Sequence, residues 1–76
     1  MILITGGLGY LGVRIATSLV NLGREVKLAT SRYDPPVPAE LSSCECVRID
    51  FNDIGLLEKA CDGVDVIIHL AALNAL

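Results

Sequence analysis

The sequence predicts an α/β fold with a doubly wound parallel sheet, and three observations support this prediction. Aliphatic runs alternate with helical patterns in the order β-α-β-β-α-β, which is typical of parallel sheets with right-handed crossovers. Hydrophobic residues make up 53% of the 76 residues and aromatic residues only 4%, as expected for strands buried on both faces. A glycine cluster directly follows the first strand. We expect one domain over residues 1–76, the N-terminal part of a larger sheet.

The first half of the chain predicts a strand, a helix and a second strand. Residues 1–5 form an apolar run that suits a buried strand. From Gly9 onward, apolar residues recur every three or four positions, which predicts a helix that ends at Gly23. Residues 25–30 alternate between polar and apolar side chains and predict the second strand.

A proline-rich loop separates the second strand from the third. All three prolines lie within residues 31–38, and proline both fixes φ and removes a hydrogen-bond donor. Residues 39–43 predict at most a weak turn of helix. Residues 44–49 predict the third strand.

A short helix and a fourth strand complete the predicted pattern. Asn52 or Asp53 can cap this helix, and the Asp-Gly pair at residues 62–63 ends it. Residues 64–70 are strongly apolar and predict the fourth strand, after which residues 71–76 begin a helical pattern. In a chain that stops there, the fourth strand is an open edge, and we expect self-association through it.

Charge and hydropathy argue against two classes of partner. A net charge of −3 leaves no basic patch for nucleic acid. No apolar stretch approaches the roughly 18–20 residues that span a bilayer. The first glycines also come too early in the chain for a signal peptide. We therefore expect a cytoplasmic protein.

Three cysteines form an odd set without the usual spacing of a metal site. Cys44 and Cys46 flank a single residue, and only Cys61 and His69 are available to join them as soft ligands. A zinc site is one interpretation of this set. We favour the other, in which reduced thiols pack as small apolar residues in a cytosolic protein.

The glycine cluster matches the phosphate-binding turn of Rossmann-type folds. Its spacing fits two registers, Gly7-x-Gly9-x-x-Gly12 and Gly6-x-x-Gly9-x-x-Gly12. In either register the first glycine permits a tight turn after the strand. Gly9 then lets the backbone approach a diphosphate, and Gly12 permits close packing of the helix.

The first amides of the helix complete this predicted site. The N–H groups of Tyr10 and Leu11 would point at the phosphates, helped by the positive end of the helix. The turn follows a strand and opens a helix within a βαβ unit, which is the context that the motif requires. We therefore predict a dinucleotide cofactor. The alternative is a glycine-rich turn that holds no ligand.

The end of the second strand predicts which dinucleotide is bound. NAD-preferring sites usually carry an acidic residue there, whereas this chain has Thr30, Ser31 and Arg32. A carboxylate would repel a 2′-phosphate, and a guanidinium can pair with it through two hydrogen bonds. We therefore predict NADP, with Arg32 as the phosphate ligand and Thr30 or Ser31 assisting, and NAD as the alternative. A solvated loop arginine is the competing interpretation of Arg32.

The chain resembles the extended short-chain dehydrogenase/reductase family, in its NAD-dependent epimerase/dehydratase group. The resemblance rests on Thr-Gly-Gly-Leu-Gly-Tyr-Leu-Gly at residues 5–12 and His-Leu-Ala-Ala at residues 69–72, and it covers essentially the whole chain. It implies that Asp50 binds the adenine amino group and that Phe51 packs on the ring. The alternative role for Asp50 is a turn or helix-capping carboxylate.

The resemblance also implies where the cofactor passes the fourth strand. The segment after that strand runs along the ribose and diphosphate in the family, and it corresponds here to Leu70, Ala71 and Ala72. The small residues allow backbone and cofactor to come close. We interpret His69, at the strand end, as a structural residue and not a catalytic one.

Two departures from the family pattern bear on function. The acidic residue at the end of the second strand is absent, which favours NADP over NAD. The family's catalytic Tyr-x-x-x-Lys pair is also absent, because Tyr10 and Tyr33 are followed four residues later by Arg14 and Val37. Without that lysine, the family's acid–base chemistry has no residues here.

These observations leave three hypotheses for function. The first is the cofactor-binding part of an epimerase, dehydratase or reductase that acts on a nucleotide sugar or a related hydroxyl or carbonyl substrate. Its substrate site would lie in a C-terminal part beyond residue 76. The second is a non-catalytic NADP-binding regulatory module, and the third is a truncated fragment without function.

Overall fold

The computed structural model describes residues 1–70, which form four strands, two helices and one 3-10 turn. The elements in chain order are β1 (Ile2–Thr5), α1 (Tyr10–Asn21), β2 (Val26–Thr30), the 3-10 turn (Ala39–Leu41), β3 (Glu45–Arg48), α2 (Ile54–Ala60) and β4 (Val66–His69). The strands are all parallel and lie in the order β3-β2-β1-β4. The predicted α/β fold with a parallel sheet is confirmed.

Each predicted strand is present but one to three residues shorter than the apolar run that predicted it. Residues just outside the strands continue the hydrogen bonding between neighbours: the Asp65 amide donates to the Met1 carbonyl at 3.0 Å, and the Ile49 amide donates to the Thr30 carbonyl at 2.8 Å. The weak helical turn predicted at residues 39–43 is the 3-10 turn. The helical pattern predicted from residue 71 onward lies outside the described residues.

Alternation along the strands divides the core into two layers. On one face, Ile4 pairs across the sheet with Leu28 and Ile68 and packs against Ala16 of α1. Successive strand residues point to opposite faces, so the neighbouring residues of β1 and β2 form the second layer. That layer contains Leu3, Ala29, Ile49 and Ala60, the last of these from α2.

The two helices end and begin as their sequences predict. Asp53, one of the two predicted caps, accepts a hydrogen bond from the Leu56 amide at 3.2 Å through Oδ1. Gly23 and Gly63 follow α1 and α2 with φ of +80° and +72°. Such left-handed conformations strain other residues, which explains the two glycines at the helix ends.

The middle of β2 contains a buried lysine that the alternating pattern did not predict. Lys27 is only 4% exposed, and its Nζ donates to the carbonyls of Ala60 at 3.2 Å and Asp62 at 3.1 Å. Its Nζ also lies 3.9 Å from a carboxylate oxygen of Glu45 on β3. Lys27 therefore satisfies carbonyls at the C-terminal end of α2 and ties that helix to the sheet.

The strand β4 lies at one edge of the sheet, paired with β1. Two of its apolar side chains are half exposed, Val66 at 51% and Ile67 at 52%. Among the helices of residues 1–70, none combines the length and the apolar character needed to cross a membrane.

Candidate functional site

The turn between β1 and α1 is shaped by Gly6. Its φ is +68°, and its carbonyl accepts a hydrogen bond from the Gly9 amide at 3.0 Å, which closes the turn. The Gly7 amide bonds to the Ala29 carbonyl at 3.2 Å, which ties the turn to the end of β2. Because the left-handed residue is Gly6, the structure favours the register Gly6-x-x-Gly9-x-x-Gly12.

Gly12 lies where the first turn of α1 crosses the glycine turn. A Cβ at this position would collide with the Gly6 carbonyl oxygen and would lie 2.8 Å from the Cα of Gly7. At Gly7 itself a Cβ would lie 2.9 Å from both the Ile4 carbonyl oxygen and Leu28 Cδ2. These two glycines are therefore required by the packing of turn, helix and sheet.

The start of α1 faces solvent without a side-chain cap. Gly9 occupies the cap position in an extended conformation, no side chain bonds to the first amides, and the first turn contains no acidic residue. Tyr10 and Leu11, whose amides open the helix, are both exposed. An uncapped helix start carries a partial positive charge that suits an anionic group.

A cavity of about 240 Å³ lies beside the glycine turn at the carboxyl ends of the strands. We call it the glycine-turn cavity, and it is lined by Gly6, Leu8, Gly9, Ala29, Thr30, Ser31, Arg32, Ile49 and Phe51. Six of these nine residues belong to the site predicted from the sequence. Crevices at the carboxyl ends of parallel strands are the usual ligand sites of open α/β sheets.

The end of β2 brings two hydroxyls and a guanidinium to this cavity. Thr30 is buried, and its Oγ1 accepts a hydrogen bond from the Arg32 amide at 3.2 Å, which fixes the bend after the strand. Ser31 and the Arg32 side chain are exposed at the rim. The described part of the chain shows no ion pair between Arg32 and a carboxylate.

Of the two residues that follow β3 and were predicted to bind adenine, only Phe51 lines the cavity. Its ring meets the His69 ring edge to face at a centroid distance of 5.7 Å. Asp50 does not line the cavity, and its Oδ1 accepts a hydrogen bond from the Asn52 amide at 2.9 Å. That contact is the one expected of a turn carboxylate, the alternative role for Asp50.

The end of β4 is fixed to the end of β1 by a polar cluster. Thr5 Oγ1 and His69 Nδ1 share a hydrogen bond of 2.7 Å. The Leu70 amide donates to both the carbonyl and Oγ1 of Thr5, each at 3.1 Å. His69 thus has the contacts of a structural residue, and Leu70 is held next to the glycine turn. Ala71 and Ala72, also predicted to line the cofactor, lie outside the described residues.

The residues that could have formed a zinc site do not come together. No three His, Cys, Asp or Glu side chains within residues 1–70 are close enough to hold a metal ion. The three cysteines are free thiols. Burial raises the pKa of the Cys44 thiol, and burial together with the nearby Cys44 raises the pKa of Cys46, so both are protonated at neutral pH.

Three residues of the glycine-turn cavity were not predicted to belong to the site. Ala29 and Ile49 were identified only as strand residues, although their positions near the carboxyl ends of β2 and β3 were a usable signal. Leu8, inside the glycine turn, also lines the cavity. Nothing in the sequence pattern distinguished it from the apolar residues of α1.

Comparison with known proteins identifies similar sequences. Residues 3–76 match the model of the 3-beta hydroxysteroid dehydrogenase/isomerase family. The chain is 34% identical over 73 residues to a 3 beta-hydroxysteroid dehydrogenase/Delta 5-->4-isomerase of Monkeypox virus, a match that covers 92% of this chain and 21% of that protein. It is 33% identical over 72 residues to the enzyme of the same name from Mycobacterium tuberculosis, and this match covers 95% of this chain and 19% of that protein. The chain thus spans about a fifth of the length of these relatives.

Solved structures show the same fold. A short-chain dehydrogenase/reductase superfamily protein from Agrobacterium tumefaciens with bound NAD aligns with a TM-score of 0.79 at 29% identity, over 99% of this chain and 21% of that one. The enzyme WbmG of Bordetella bronchiseptica, in complex with NAD and UDP, aligns with a TM-score of 0.78 at 28% identity, over 97% and 25%. MoeE5 in complex with UDP-glucuronic acid and NAD aligns with a TM-score of 0.75 at 33% identity, over 95% of this chain and 22% of that one.

Proposed function

Because the chain belongs to the 3-beta hydroxysteroid dehydrogenase/isomerase family, we propose that it binds a nicotinamide dinucleotide in the glycine-turn cavity. This family lies within the extended short-chain dehydrogenase/reductase group, so the resemblance predicted from the sequence is confirmed. The observation that carries the proposal is that cavity, where the glycine turn, the uncapped start of α1 and the end of β2 meet. The solved relatives with bound NAD support it.

The residues of the turn fit a diphosphate. Gly9 lines the cavity, and a Cβ there would lie 3.3 Å from the Gly6 carbonyl oxygen, which is a tight contact with backbone. A side chain at residue 9 would therefore crowd the turn that we assign to the diphosphate. The amides of Tyr10, Leu11 and Gly12 begin the helix and are the donors we assign to the phosphate oxygens.

The adenosine end of the cofactor is assigned to the ends of β2 and β3. Phe51 offers an exposed ring for adenine, and the second carboxylate oxygen of Asp50 is the acceptor we assign to the adenine amino group. Leu70, together with Ala71 and Ala72 of the family motif, would follow the ribose and diphosphate. A dinucleotide bound in this way supplies a hydride acceptor for the oxidation of a hydroxyl carbon.

We propose further that the cofactor is NADP. The solved relatives hold NAD, but this chain presents Thr30, Ser31 and Arg32 where NAD-preferring sites present a carboxylate. The Arg32 guanidinium lies at the cavity rim without an acidic partner in the described chain. A 2′-phosphate would supply the missing negative charge.

Calorimetric titration of the chain with NADPH and NADH tests both parts of the proposal. We expect NADPH to bind at least about tenfold more tightly, and Arg32→Met to remove the difference while leaving NADH binding unchanged. Arg24→Met is the matched control, because Arg24 is an exposed arginine near the amino ends of the strands. A folded chain that bound neither nucleotide would refute the site. Tighter NADH binding would refute only the role of Arg32.

The names of the relatives support a proposal for the reaction of the whole protein. We propose that an enzyme containing this chain transfers hydride between the nicotinamide and the carbon of a secondary hydroxyl, as the dehydrogenase names of the relatives indicate. A steroid and a nucleotide sugar both offer such a carbon, and both classes occur among the relatives' names. The substrate site is assigned to chain beyond residue 76.

We also propose that the isolated chain self-associates through β4. The strand pairs with β1 on one side, and its half-exposed Val66 and Ile67 lie at the sheet edge. Open apolar edges pair readily with further strands.

A further inference from the structure

A second cavity lies against the glycine-turn cavity at the carboxyl ends of β2 and β3. Its volume is about 380 Å³, and it shares Thr30 and Arg32 with the first cavity. Tyr33 and Arg48 are also among its lining residues, and we call it the arginine cavity because Arg32 and Arg48 both line it. A ligand whose adenosine end occupies the first cavity therefore has an adjoining space that opens past Thr30.

Arg48, the last residue of β3, is placed in this cavity by the sheet register. It pairs directly with Thr30, and paired residues of neighbouring strands project from the same face. Its guanidinium carbon lies 4.3 Å from the centre of the Tyr33 ring. Stacking on a ring holds the guanidinium in place and leaves its in-plane N–H donors available for an acceptor.

The arginine cavity has an excess of positive charge. Arg32 and Arg48 both line it, and neither guanidinium forms an ion pair with a carboxylate among residues 1–70. Asp34 is the one acidic residue in its lining, and it is exposed, so solvent screens its charge. Two unpaired guanidinium groups beside one cavity are best neutralised by a doubly charged anion with several acceptor oxygens.

We propose that Arg48, held by Tyr33, is the second arginine of a two-arginine site for the 2′-phosphate of NADP, opposite Arg32. This inference rests on the proposed cofactor function and adds to it a ligand from β3. Arg48 contributes charge-assisted hydrogen bonds to the phosphate. Tyr33 acts as a positioning residue, since its ring orients the guanidinium and does not itself touch the phosphate.

The test separates the 2′-phosphate from the rest of the nucleotide. Calorimetric titration of the chain compares adenosine 2′,5′-bisphosphate with adenosine 5′-monophosphate, which differ only in that group. We expect Arg48→Met to weaken binding of the bisphosphate about tenfold and to change binding of the monophosphate by less than about twofold. Tyr33→Leu should lower bisphosphate affinity by a smaller factor, and Tyr33→Phe should retain it, because the ring is kept. Arg24→Met is the matched control.

The outcomes of this titration distinguish the role of Arg48 from the proposed binding of NADP in the glycine-turn cavity. A wild-type chain that binds neither nucleotide refutes the cofactor site, and one that binds both equally refutes the NADP preference. A wild-type chain that prefers the bisphosphate while Arg48→Met keeps the full preference refutes only the role of Arg48. Melting curves report the folding of each variant. If Arg48→Met does not fold, Arg48→Lys is the variant to measure, because lysine keeps the charge but lacks the planar set of donors of a guanidinium. If Arg48→Lys leaves both the affinity for the bisphosphate and the salt dependence of that binding unchanged, the two-arginine site is overturned.

Discussion

Replacing Gly12 by alanine is the sharpest test of the packing around the glycine turn. The new Cβ would lie 2.8 Å from the Gly7 Cα and 2.9 Å from its carbonyl carbon, and it would collide with the Gly6 carbonyl oxygen. Relaxed contacts between carbon atoms lie at about 3.5–4.0 Å. The turn and the helix must therefore separate by roughly 1 Å, and because the contacted atoms are backbone, no side-chain rotation can relieve the collision.

The free energy of unfolding should fall by about 2 kcal/mol in Gly12→Ala. Overpacking of this kind costs about 1–3 kcal/mol, and a collision with backbone belongs at the upper end of that range. The greater helix propensity of alanine offsets at most about 1 kcal/mol of this loss in the free energy of unfolding. In a domain of this size, a loss of about 2 kcal/mol lowers the melting temperature by roughly 8–16 °C.

Gly55→Ala is the matched control because Gly55 also lies in the first turn of a helix. A Cβ there would meet only Asp53 Oδ1, at an ordinary 3.4 Å. The same substitution should therefore stabilise α2 by about 0.5–1 kcal/mol. Both variants are measured by thermal and urea unfolding followed by circular dichroism. If Gly12→Ala proved as stable as Gly55→Ala, the close approach of α1 to the turn would not exist in solution.

The remaining predictions concern a buried lysine and a strand edge. Lys27→Met should lower the free energy of unfolding by about 2 kcal/mol, because two carbonyls at the end of α2 lose their charged donor. The exposed control Lys59→Met should change the free energy of unfolding by less than about 0.5 kcal/mol. If urea unfolding showed the same loss of free energy in both variants, the proposed link between α2 and β2 through Lys27 would be contradicted. Ile67→Lys should weaken self-association in sedimentation velocity runs at increasing concentration, because a charge blunts the β4 edge. Ile54→Lys, at an exposed apolar position on α2, should leave it unchanged, and an equal effect would point to a different interface.

Local patterns in the sequence were sufficient to predict the elements and the glycine turn. The apolar runs and the glycines at helix ends act within a few residues, so their meaning does not depend on the rest of the chain. The register of the glycine motif could not be chosen in this way. Gly6 and Gly7 both fit the spacing, and only the backbone shows that Gly6 has the left-handed conformation.

The features that the sequence did not reveal depend on contacts between distant residues. Lys27 reaches carbonyls 33 and 35 residues further along the chain, and no period in the sequence links these positions. The stacking of Arg48 on Tyr33 depends on the path of the proline-rich loop between them, which composition identifies as a loop without fixing its course. Exposed aromatic and basic residues in a loop are common, so neither one alone indicated a cavity.

Polar residues end the first three strands of this small sheet. Thr5, Thr30 and Arg48 are the last residues of β1, β2 and β3, whereas Ile4 and Leu28 one or two positions earlier are fully buried and apolar. In a parallel sheet every strand ends on the same side, so three independent loops meet at one edge. A ligand in the two adjoining cavities would contact all three loops and link them. Binding should therefore raise the free energy of unfolding of the three loops together, by about 2.7 kcal/mol at a ligand concentration one hundred times the dissociation constant.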